Sequence, residues 1–77
     1  MRLLDIDEIN SLSNGDKVLV EEPRINWLDT CRVEVKNYSN KKRMTSLIPI
    51  ENKLSKGHGY SFFQFDEEDY EWILILK

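Results

Sequence analysis

Seventy-seven residues, 40% of them hydrophobic and with a net charge of −3, make one small globular domain and exclude a two-core protein or a disordered chain. A core this small yields only ~3–5 kcal/mol of net stability, so strong apolar positions are expected inside, with no large exposed apolar patch; self-association is compatible with such a core. The longest apolar run, Trp72 to Leu76, is far short of the ~20 residues that span a bilayer, and MRLLDIDEIN turns acidic too early for a secretory signal, so a soluble, cytoplasmic chain is expected.

In LLDIDEINSLSNGD, Asp5 is placed to cap a short helix, with Glu8 completing an acidic capping box and Leu4 and Ile9 forming a hydrophobic staple. Ile6, Ile9 and Leu12 share one side, and Gly15 suits a left-handed exit, which predicts a helix over about 5–13. The period then changes to two. Strands are predicted over about 17–22, ended by Pro23, and over 31–36, where Cys31, Val33 and Val35 alternate with Arg32, Glu34 and Lys36. Between them, EPRINWLD reads as a connection with Trp27 and Leu28 turned inward. NYSNKK is turn chemistry, and 43–50 returns as the antiparallel partner. ENKLSKGHG reads as a polar loop. Strands over 60–65 and 70–76 follow, joined as a hairpin by the acidic loop Asp66-Glu67-Glu68-Asp69. In the last strand Tyr70, Trp72, Leu74 and Leu76 are expected to form the core face, with Ile73 and Ile75 covered on the other side.

Five short strands in meandering order with one short helix predict a mainly β fold: a small, partly open barrel or strongly bent antiparallel sheet. The layout, and the strand opening Asn14-Gly15-Asp16-Lys17-Val18-Leu19-Val20, resembles the SH3-like small barrels. The glycine-rich loop of ribosomal KOW-type barrels is missing, as is the arginine-proline-valine pattern of MazF-like nucleases. The resemblance therefore implies a shape and no activity.

Catalysis finds little support. Cys31 and His58 are the one thiol and the one imidazole, and Cys31 falls on the apolar face of a strand, where a thiol is inert packing. Two such ligands are too few for structural zinc, and the acidic loop lacks calcium-loop spacing. Gly57-His58-Gly59 lacks the spacing of a phosphate-cradling loop. No enzyme activity, cofactor or metal is expected.

Binding surfaces are better represented. Residues 1–22 and 59–77 are acidic, and 23–58 are basic. The stretch GYSFFQFDEEDYEWIL holds six of the eight aromatic residues around a knot of acid. Phe62 and Phe63 are adjacent and must point to opposite faces, so either Phe63 or Phe65 is available as an exposed anchor. With Asp66, Glu67, Glu68, Asp69 and Glu71 as an acidic rim, this predicts docking on a larger protein that carries a basic groove. A specific form is a small phage or mobile-element inhibitor, of the anti-CRISPR or DNA-mimic kind, that presents carboxylates in place of phosphates. The alternative is nucleic-acid binding through Lys41, Lys42 and Arg43, with Lys36, Lys53 and Lys56 nearby and Tyr38 or Tyr60 as stacking platforms.

Overall fold

Asp5 opens the first helical turn, α1 (Ile6–Ile9), in a computed structural model that describes residues 1–50 and 59–77. Its carboxylate accepts the Glu8 N–H at 2.8 Å, while the Glu8 side chain accepts the Asp5 N–H at 3.2 Å. The turn closes well before residue 13, because Ser11 and Leu12 donate to carbonyls only three residues back and the Asn10 side chain is engaged elsewhere. Gly15, at φ +91°, then swings the chain so that its N–H donates to Val33 O at 2.8 Å. Asn14 adds a second stitch, accepting the Val35 N–H at 3.0 Å.

Glu8 also holds Arg2 in a two-pronged ion pair. That pair and the Asp5 N–H lower its carboxyl to about 2. A carboxyl held low in the folded state stabilises above its ordinary value of ~4.3 and loses that contribution as pH falls toward the folded value. Glu8→Gln, which keeps an oxygen acceptor for Asp5 but cannot ionise, is expected to flatten the acid limb of the urea midpoint against pH. An unchanged limb would refute the assignment.

Five antiparallel strands form one sheet in the order β4-β3-β2-β1-β5, curled into a half-barrel. They are β1 (Lys17–Glu22), β2 (Trp27–Asn37), β3 (Arg43–Pro49), β4 (Tyr60–Phe62) and β5 (Leu74–Leu76), with a second helical turn, α2 (Glu67–Tyr70), before β5. The β1–β2 connection is shorter than the sequence suggests. Pro23 starts a single 3-10 turn over Pro23–Ile25, Asn26 takes the left-handed position at φ 54°, and pairing resumes at once with Glu22 opposite Trp27. Strand alternation then applies across residues 27 and 28. Trp27 is buried, whereas Leu28, expected inward, is exposed.

The expected last hairpin does not exist. β4 pairs with β3 and β5 with β1, so the two strands lie on opposite edges of the sheet. The residues between them cross the open side of the half-barrel, and Asp66–Asp69 coil into α2 because Asp66 caps that turn. Residues 2–4 lie along the other side of β5, with Arg2 and Lys77 exchanging backbone hydrogen bonds at 3.0 Å. That edge is thus kept from pairing with other chains.

Val18, Val20, Cys31, Val33, Leu47 and Ile75 line the concave face, and Leu4, Ile9, Leu12, Phe65 and Ile73 close over them. Phe65 is the largest wholly buried side chain, with Phe62 and Tyr70 edge-on to it at 5.1 and 5.4 Å. Trp27, Tyr60 and Trp72 form a second aromatic group, with Tyr60 centred 5.4 Å from Trp27 and 5.7 Å from Trp72. The facing of the last strand is the reverse of the expectation. Ile73 and Ile75 are wholly buried, while Tyr70, Trp72, Leu74 and Leu76 are half-buried. The pairing of Val20 with Ile75 sets that phase, and residues 70–73 precede the strand.

Candidate functional site

α2 owes its form to its own acids. Asp66 lies in extended backbone, and its carboxylate accepts the N–H groups of Glu68 at 3.0 Å and Asp69 at 3.3 Å. Asp69 returns the bond, accepting the Asp66 N–H at 3.1 Å. These two carboxylates are therefore occupied in holding the turn. Glu67, Glu68 and Glu71 are left exposed, and among the described residues none of the five acids is in an ion pair. Acid in a helix's first turn is favoured by the partial positive charge there, which lets so many carboxylates crowd together.

Asn10 brings a second acidic segment alongside. Its side-chain amide donates to Phe65 O at 2.9 Å and accepts the Phe65 N–H at 2.8 Å, fastening the end of α1 to the residue that precedes α2. Asp5, Ile6 and Asp7 then border a shallow cleft with Tyr70. Burial, followed by the charges of Asp5 and Glu8, raises the Tyr70 hydroxyl above its ordinary value. The acidic surface thus extends from the 66–71 segment to Asp5 and Asp7. Sequence reasoning did not include those two, although both segments share an Asp-x-x-acid capping pattern.

The two candidate anchors separate. Phe65, proposed as one of them, is wholly buried and cannot meet a partner, because the strand ends at Phe62 and alternation no longer ties residue 65 to the face of 63. Phe63 is 58% exposed. Its neighbours are an unexpected set: Tyr38 edge-on at 5.7 Å, and the Lys42 ammonium 5.8 Å from the ring centre. The exposed aromatic pair therefore stands at the tip of the β2–β3 connection. A cleft running from Phe63 and Gln64 to Asp7 and Asn10 links the pair to the acidic side.

The basic run divides in the same way. Lys41 takes the left-handed position at φ 65° in a tight turn, in which the Tyr38 N–H donates to Lys42 O at 2.8 Å. Lys41 and Lys42 are exposed. Arg43 is half-buried and structural, donating to Leu12 O and, at 3.3 Å, to Thr45 Oγ1. Two of its five N–H donors are thus spent inside the fold.

Cys31 is wholly buried, and burial, aided by Asp29, pushes its thiol up to about 12, so no thiolate is available at neutral pH. His58, Lys53 and Lys56 lie outside the described residues. Among the described residues no cluster of His, Cys, Asp or Glu is arranged to hold a metal ion, and no helix is long and apolar enough to cross a membrane. No protein-family model matches the chain, and neither a curated protein nor a solved structure matches it.

Proposed function

We propose that this chain is a non-catalytic docking protein of the cytoplasm. It binds a larger protein through the exposed Phe63 ring and the capped acidic turn that begins three residues later. The observation that carries this reading is the division of labour within 63–71: Phe65, Asp66 and Asp69 build the turn, while Phe63, Glu67, Glu68 and Glu71 are left for a partner. An exposed aromatic anchor beside oriented carboxylates suits a basic groove, since charge complementarity speeds encounter and fixes orientation. An inhibitor that fills a nucleic-acid-binding groove, as phage and mobile-element anti-defence proteins do, is the specific form this takes. The return of β5 to β1 favours the SH3-like reading of the half-barrel.

A second reading draws on Tyr38 and Phe63 with Lys41 and Lys42: an aromatic platform beside exposed ammonium groups is the make-up of a single-strand nucleic-acid site.

One capture experiment separates the two. Tagged protein is passed through a cell extract with and without nuclease, next to the triple variant Glu67→Lys, Glu68→Lys, Glu71→Lys, which spares both capping aspartates. The expected result is a protein retained stoichiometrically by the wild type in both samples and lost by the variant, whose circular dichroism is unchanged. Equal retention by the variant would refute the docking reading. Recovery of nucleic acid, lost on treatment and weakened by Lys42→Ala, would replace it with the second.

A further inference from the structure

The convex face of the sheet is not the polar surface that so small a core leads one to expect. Leu3 is bridged to Leu76, Leu76 pairs with Leu19, Leu19 pairs with Thr30, and Thr30 O accepts the Ile50 N–H at 2.9 Å. These residues form one row across the sheet that follows its curl, apolar but for the Thr30 hydroxyl. Leu3 and Ile50 are each 47% exposed, and Leu28 and Leu74 extend the band on one flank, each opposite Glu21. The charges are ordered about this row. Along the outer side of β1 stand Lys17, Leu19 and Glu21; Arg32, opposite Lys17 on β2, is paired with Glu34 at 3.3 Å, so Lys17 on one flank and Glu21 on the other carry the unbalanced charges.

We propose that this face is the contact between two copies of the chain, in a two-fold dimer whose axis lies in the interface along the Leu76-Leu19-Thr30 row. A rotation about that line sets the middle of the row, at Leu19, on its own copy. It also reverses strand direction, so Lys17 of each copy meets Glu21 of the other, twice per dimer. An axis parallel to β1 instead puts Lys17 on Lys17 and Glu21 on Glu21. Charge therefore selects one arrangement, in which the strands of the two sheets run aligned, a favoured geometry for packed sheets. The contact uses none of the residues of the proposed docking site, so either can fail without the other.

Light scattering on size-separated protein tests it, with circular dichroism confirming the fold of each variant. Wild type is expected at twice the 9.2 kDa of one chain. Lys17→Glu alone sets carboxylate against carboxylate, Glu21→Lys alone sets ammonium against ammonium, and each is expected to weaken self-association at least about tenfold. The two single variants mixed in equal amounts are expected to recover the doubled mass, as is the double variant carrying both changes. Wild type at the single-chain mass, or single variants as dimeric as wild type, overturns the proposal. So does a mixture that stays at the single-chain mass.

Discussion

Replacing Phe65 with alanine is expected to lower stability by ~3–5 kcal/mol, the usual cost of emptying a buried aromatic site. A domain of this size has ~3–5 kcal/mol in total, so most of the population should be unfolded at room temperature. The ring has no exposed surface, and it holds Phe62 and Tyr70 edge-on while closing the open side of the half-barrel. Neighbours anchored in strand and helix cannot all collapse into the space. The comparison is Phe63→Ala, two residues away, where an exposed ring is removed and stability should move by no more than about 0.5 kcal/mol. Urea unfolding of the pair, followed by tryptophan fluorescence, checks both. A well-folded Phe65 variant, or a Phe63 variant as damaged as it, would mean that core and surface aromatics have been exchanged.

Asn10→Ala is expected to cost ~2–3 kcal/mol, because it orphans both the N–H and the carbonyl of Phe65 in a partly buried place. Among the described residues no other side chain is bonded to both backbone groups of Phe65, and an amide meets both needs because it donates and accepts at once. Asn10→Asp provides the finer test. It retains the acceptor for the Phe65 N–H but sets a carboxylate oxygen against the Phe65 carbonyl, so it should be destabilised as well. Hydrogen exchange at the Phe65 amide should quicken in the alanine variant more than in the aspartate one. Equal protection in wild type and alanine variant would remove Asn10 from the link between the two acidic segments.

Local physics is legible in the sequence itself. The Asp5 cap with Glu8, the left-handed Gly15, the alternation from Cys31 to Val35 and the stop at Pro23 each depend on residues within a few positions of one another. The mainly β, curled architecture could be read from the same signals. The acidic turn shows where such reading stops. DEED between two apolar runs suits a hairpin loop as well as a helical turn, and the choice was made by the edge at which β5 could pair. Phe63 and Phe65 are equivalent by composition. One became core and the other stayed exposed because the strand ended at Phe62.

The sequence by itself determined the caps, the turns and the period of the central strands, because those forces act over a few residues and do not depend on what lies opposite. Strand order, the burial of Phe65, the engagement of Arg43 with Leu12 and the alignment of Leu3, Leu76, Leu19 and Ile50 into one row were decided only by the tertiary structure. Each depends on register between distant segments, and register is set by which arrangement buries the most apolar surface while satisfying the backbone groups.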